Sequence, residues 1–220
     1  SYFVFFLGGL FLFLFSFNAF FIYVQPNEVA IKQVRVGLNR GIQSTVYDTG
    51  WYFMVPGIHI FHVFPKDLQV FDLTSMRNQA SSRFIDNSAH IQTSDGFFVD
   101  VDVSVIFRID DPLQVIKTIG PGELYFINGI LPKTEPALKE TLGTLTTEEF
   151  YNPYLRVEKM NQARIKLASE LEEKGIAIEH VLIRYFKYSS EIQCNIEEKK
   201  LKDHLILKNQ AEAKAAIQNA

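Results

Sequence analysis

The sequence predicts an α+β fold carried on an N-terminal transmembrane helix, and three stretches predict it. Tyr2 to Val24 holds no charged residue, the first charge being Glu28. Gly96 to Ile109, GFFVDVDVSVIFRI, places Phe97, Val99, Val101, Val103, Val105, Phe107 and Ile109 at every odd position, with Asp100, Asp102, Ser104 and Arg108 between them. Successive strand side chains point to opposite faces, so this run reads as a half-buried strand. Tyr154 to Lys174 carries Val157, Met160, Leu167, Ala168 and Leu171 as a helical stripe, and Gly175 stands at the C-terminal cap position.

Composition narrows the function. A net charge of −3 argues against the clustered basic face that nucleic acid requires. The single cysteine, Cys194, excludes an internal disulfide framework and any multi-cysteine zinc site. The chain opens on Ser1 and ends inside a helical pattern, so it is expected to be a segment of a longer protein.

Residues 1–24 form the expected anchor. The 23 positions from Tyr2 to Val24 make a helix of roughly 34 Å, enough to cross a hydrocarbon core of about 30 Å. Tyr2 and Tyr23 stand where interface-seeking aromatics belong. A cleavable signal peptide fits less well, because there is no basic leader and no A-x-A site. With no Lys or Arg on the N-terminal side, orientation is not readable.

Residues 25–94 read as a small β-rich module. Pro26 ends the apolar helix. In NEVAIKQVRVGL the alternation Val29, Ile31 shifts by one at Val34 and Val36, the mark of a strand with a bulge. WYFMVPGIHIFHVFPKDLQVFDL reads as short strands broken at Pro56-Gly57 and Pro65. Tyr23, Trp51, Tyr52 and Phe53 are the candidate membrane-interface residues, a buried core strand being the alternative for 51–55. His59 and His62 cannot share a metal, because i and i+3 of a strand face opposite sides. Met76 to His90 is polar and without period, and reads as an exposed loop.

Residues 95–188 read as an α+β module. Asp110-Asp111-Pro112 closes the alternating strand, and a short helix runs to Gly120-Pro121-Gly122. A helix lies within Leu124 to Leu142, its start restricted by Pro132 and Pro136. Thr146-x-x-Glu149 is a capping box, with a brief helix before Pro153. A strand opens at Ile176 and runs to Tyr188. Residues 189–220 lose Gly and Pro and balance Glu and Asp against Lys; Ile192, Ile196, Leu201 and Leu205 form the seam of a coiled-coil helix.

Chemistry is hard to find. Asp100 and Asp102 would sit side by side on the wet face of the alternating strand, where paired carboxylates can serve as acid and base. A charged strand face is ordinarily there for solubility, and no cleft-forming loops surround it. Cys194 stands at the start of the tail helix with no His at a catalytic spacing. None of the phosphate-loop, dinucleotide, nucleophile-elbow or zinc-protease motifs occurs. No catalytic residue, cofactor or metal is expected.

Thr93 to Pro112, TSDGFFVDVDVSVIFRIDDP, resembles the signature strand of the SPFH, or band 7, superfamily of stomatins, prohibitins, flotillins and the bacterial HflK/HflC proteins. Tyr23–Gly37 resembles the family's opening strand after its membrane segment, and Thr49–Leu73 its Gly-led apolar strand before a Pro. Glu135–Ile192 follows the family order of helix, capped helix, Gly175, strand and coiled-coil helix. The Pro frequent at the start of the family's tail is absent from Lys187 to Ser190, which leaves the subfamily open.

The resemblance implies a membrane-anchored scaffold that oligomerises into a large ring or cage, with itself or a close paralogue. Such a scaffold organises a membrane microdomain and regulates or encloses a membrane-protein partner, for instance a membrane protease. It implies a bacterial inner membrane or an organelle membrane, entered by a single pass or as a monotopic protein. The competing reading is a bitopic receptor-like binding protein, monomeric or dimeric, that contacts its ligand through the 76–90 loop.

Overall fold

The computed structural model describes residues 19–75 and 83–218. Among the described residues ten strands and four main helices follow one another: β1 (Phe21–Val24), β2 (Glu28–Val34), β3 (Gly41–Tyr47), β4 (Gly50–Phe53), β5 (His59–Pro65), β6 (Gln69–Thr74), β7 (Arg83–Asp86), β8 (Ala89–Gln92), β9 (Phe98–Ile109), α1 (Pro112–Thr118), α2 (Leu131–Leu142), α3 (Pro153–Leu171), β10 (Ile176–Tyr188) and α4 (Ser190–Gln218). The alternating stretch becomes β9, and it organises the largest sheet, ordered β10-β9-β6-β7. β10 pairs with β9 along its length, while β6 and β8 share the other side of β9 end to end. Strands from both sides of residue 94 therefore belong to one sheet. β3-β2-β5 and β1-β4 form two smaller sheets.

Val99, Val101, Val103, Val105 and Phe107 are buried on one face of β9. They meet Leu138 and Leu142 of α2, and Met160, Ala163, Leu167 and Leu171 of α3, in one core that also takes in Val29, Ile31 and Phe64. Val157, expected in the helical stripe, is instead exposed. A stripe about 100° wide covers only part of a helix, and Ala163 takes the buried position between Met160 and Leu167.

Local signals explain the element ends. Asp111 caps α1 by accepting from the Leu113 and Gln114 amides, with Pro112 in the first turn. The capping box forms as expected: Glu149 Oε2 accepts from the Thr146 amide (2.9 Å) and the Glu149 amide donates to Thr146 Oγ1 (3.2 Å). Gly175 adopts φ +84°, ends the helical run and starts β10. The bulge expected in β2 is present as a register shift against β3 between Ile31 and Gln33.

Two expectations need correction. The apolar helix does not extend to Val24, because Phe21–Val24 is strand β1, paired with β4. Val24 is buried against Ala30 and Phe61, so apolarity there reflects a core and not lipid. Residues 2–18 of the expected anchor lie outside the described residues, and among the described residues no helix is long and apolar enough to cross a membrane. The helix expected within Leu124 to Leu142 is α2, which starts at Leu131 with Pro132 in its first turn, where it needs no amide partner; a π-helical turn, Tyr125–Ile130, leads into it. The 76–90 stretch is not all loop: Arg83–Asp86 forms β7, parallel to β6, and Ala89 begins β8. Residues 76–82 lie outside the described residues.

Candidate membrane-facing surface

β1 and β4 pair antiparallel with Phe21 opposite Phe53, Ile22 opposite Tyr52, Tyr23 opposite Trp51 and Val24 opposite Gly50. Alternation sorts these pairs by face. Ile22, Tyr52 and Val24 point inward, where Tyr52 meets Tyr47 edge-on at 4.9 Å and stacks on Phe61 at 6.3 Å. Tyr23, Trp51 and Phe53 point outward and are 45 %, 55 % and 55 % exposed. Tyr23 and Trp51 rings lie 5.1 Å apart, Phe21 and Phe53 meet edge-on at 5.7 Å, and Phe20 stacks on Phe53 at 6.2 Å.

Of the four candidate interface residues, the structure brings Tyr23, Trp51 and Phe53 together and turns Tyr52 into a small aromatic core. It adds Phe20 and Phe21, which a helix reading of 2–24 hid. Reading Phe21–Val24 as a strand antiparallel to Gly50–Phe53 would have found Phe21, because that pairing sets Phe21 and Tyr23 opposite Phe53 and Trp51. Solvent-exposed aromatics contiguous with an uncharged apolar segment are the chemistry of a lipid interface, where amphipathic rings settle at headgroup level.

The two histidines of the neighbouring β5 do not meet. His59 Nδ1 accepts from the Val55 amide (3.2 Å), and His62 Nε2 lies 2.7 Å from Gln33 Oε1. Burial, then Lys32 nearby, lowers the His59 pKa; burial lowers that of His62. Bases with lowered folded pKa values bind protons more strongly when unfolded. Their contribution is therefore whole above the unfolded value of about 6.5 and is lost as pH falls below it. Thermal unfolding should shift to lower temperature between about pH 7 and pH 5, and His59→Gln with His62→Gln should flatten that slope.

The carboxylates of β9 are also separated. Asp100 is exposed and pairs with His90 (2.6 Å), whereas Asp102 is 3 % exposed. Asp102 accepts from Thr74 Oγ1 (2.6 Å), Ser88 Oγ (2.5 Å) and the Ser75 amide (3.3 Å). Asp72 beside it, equally buried, accepts from Ser104 Oγ and from Arg184 (3.0 Å). The expected wet face is thus wet only at its ends, and its centre is a buried polar network. These hydrogen bonds each tie one strand or loop to another. Among the described residues no group of three metal-ligating side chains occurs. Cys194 is exposed on α4.

The tail seam is divided. Ile192 and Ile196 pack against the domain core, and Lys199 holds Glu148 at 2.7 Å, so the first turns of α4 dock on their own domain. Leu201 and Leu205 lie beyond that dock and are exposed, as are Ile206 and Leu207. A helix of 29 residues is about 43 Å long, and this one carries its exposed leucines away from its dock.

With this geometry in hand, comparison with known families gives one finding: residues 22–220 match the SPFH domain / Band 7 family. No curated protein matches the chain.

Proposed function

The chain belongs to the SPFH domain / Band 7 family, whose members are membrane-associated scaffolds, and from that premise we propose that it is a non-enzymatic scaffold assembling into a large ring or cage on a membrane. Tyr2 to Phe20 serves as the anchor. Ending at Phe20, it still has 19 residues, long enough for about 28 Å of helix, and enters by a single pass or as a monotopic deep hairpin. The outward aromatics Tyr23, Trp51 and Phe53 rest at the lipid interface. Beyond the docked turns, Leu201 and Leu205 pack against α4 of neighbouring copies, identical or closely related, as a coiled coil. The enclosed or flanked partner is a membrane protein, a membrane protease being the leading candidate class.

The observation that carries this reading is α4. Its first seam residues are satisfied within the chain and its later ones are not, and a helix with uncovered leucines beyond its own domain is completed by another helix. Full-length protein extracted in mild detergent should give a particle of many copies by mass and by electron microscopy. Leu201→Asp with Leu205→Asp should reduce it to monomers or small oligomers while the melting temperature of the domain changes little. A wild-type monomer or dimer, stable across detergents, would sink the scaffold.

A further inference from the structure

We infer that the turn between β2 and β3, residues 35–40, is a second lipid contact and that Arg35 and Arg40 make it selective for anionic headgroups; the inference rests on the membrane-facing reading of β1 and β4 above. Leu38 is fully exposed at the tip of this turn and Val36 beside it is exposed. Gly37 and Gly41, at φ +120° and +129°, turn the chain so that two aliphatic side chains stand at its apex.

Hydrogen bonds place the turn at the membrane end of the module. The Met54 amide donates to the Phe20 carbonyl (2.7 Å), which joins the exit of β4 to the entry of β1. The next residues close a tight turn, with the Ile58 and His59 amides donating to the Val55 carbonyl (3.1 and 2.9 Å). The Arg35 amide donates to the Ile58 carbonyl (2.7 Å). One short path therefore runs from Phe20, where the uncharged segment ends, to the turn bearing Leu38. Ile58, on that path, is also exposed.

Charge is divided between the two ends. From Phe20 to Pro65 the basic residues are Lys32, Arg35 and Arg40, and the acidic ones Glu28 and Asp48. Glu28 pairs across with Pro65, and Asp48 forms an ion pair with Lys66, both at the far end of the sheet. Glu28 and Val34 are six steps apart along the strand, about 20 Å, more than twice the screening length of about 8 Å at physiological salt. These two acids therefore lie beyond the screening length from the turn. Among the described residues neither Arg35 nor Arg40 has a carboxylate partner. Two arginines flanking an exposed leucine suit a lipid surface, since guanidinium groups stay at headgroup level while the aliphatic tip enters the acyl boundary.

Two native features separate this inference from the reading it rests on. Trp51 is the single tryptophan and reports the aromatic surface; Cys194 is the single cysteine, so Asn39→Cys in a Cys194→Ser background takes one environment-sensitive label at the turn. Full-length labelled protein is reconstituted in zwitterionic vesicles and in vesicles with about 30 % anionic lipid, with brominated acyl chains as quencher. The label should be quenched in anionic vesicles and much less in zwitterionic ones, with Trp51 quenched in both. Arg35→Gln with Arg40→Gln should lower the immersed-to-free ratio of the turn about 25-fold, roughly fivefold for each charge, and about 1 M salt should do the same.

A label that stays aqueous in anionic vesicles, or is immersed equally in both lipids, overturns the inference while Trp51 quenching leaves the membrane-facing reading standing. Shielding of the label that persists in lipid-free detergent also overturns it, because a neighbouring copy would then cover the turn. An unquenched Trp51 sinks the membrane-facing reading of β1 and β4 itself.

Discussion

Gly175→Ala is expected to lower the melting temperature by about 10 °C or more, from a loss of roughly 4 kcal/mol. The residue sits at φ +84°, where an L side chain costs on the order of 1–3 kcal/mol. A Cβ there would also lie 2.3 Å from the Asp111 carbonyl oxygen, a backbone atom that cannot swing aside. The Gly175 carbonyl in turn accepts from the Asp110 and Asp111 amides (3.0 and 3.1 Å), and Asp111 caps α1. One methyl group thus disturbs the end of the α3 run, the start of α1 and the first pairing of β10 together. Gly57→Ala separates conformation from crowding: φ is +82° but nothing lies within 4 Å, so a fall of only about 3–4 °C should follow. Equal melting shifts for the two would mean that the close approach to Asp111 contributes nothing.

Asp102→Ala should destabilise the domain by about 3 kcal/mol, whereas Asp100→Asn should change it by less than about 0.5 kcal/mol. Removing the Asp102 carboxylate takes a buried acceptor from the Thr74 and Ser88 hydroxyls and leaves the Ser75 amide its bond to Ser88 Oγ (3.1 Å) alone. Asp102→Asn retains one oxygen and should recover roughly half the loss, as measured by denaturant unfolding. Asp100 is exposed, and its pairing with exposed His90 contributes little. A particle of normal size from Asp100→Asn, and from any Asp102→Asn protein that folds, would agree with a structural role for both. Loss of a biological activity from Asp100→Asn with stability unchanged would instead revive acid–base chemistry on β9.

What is legible in the sequence follows the range of the forces involved. The alternation of β9, the Thr146–Glu149 box, the Asp111-Pro112 start and the Gly175 stop are settled among residues within a few positions of one another, so each can be read along the chain alone. So can the family resemblance, which is a pattern of such local signals in order. The aromatic surface is half legible: Trp51 and Phe53 announce themselves by type, but which neighbours share their face depends on the pairing of β1 with β4, some thirty positions apart.

The same limit explains the other differences. Asp102 looks identical to Asp100 in a run of alternating residues; one is buried because hydroxyls from Thr74 and Ser88, distant in sequence, close over it. Ile192 and Ile196 carry the same helical signal as Leu201 and Leu205, yet the first pair is consumed by the domain core and the second is left for a neighbour. Periodicity and capping determine that an element forms and which face is apolar, because they act through the chain's own geometry. Only the tertiary structure decides what each face meets, because that depends on contacts between distant segments.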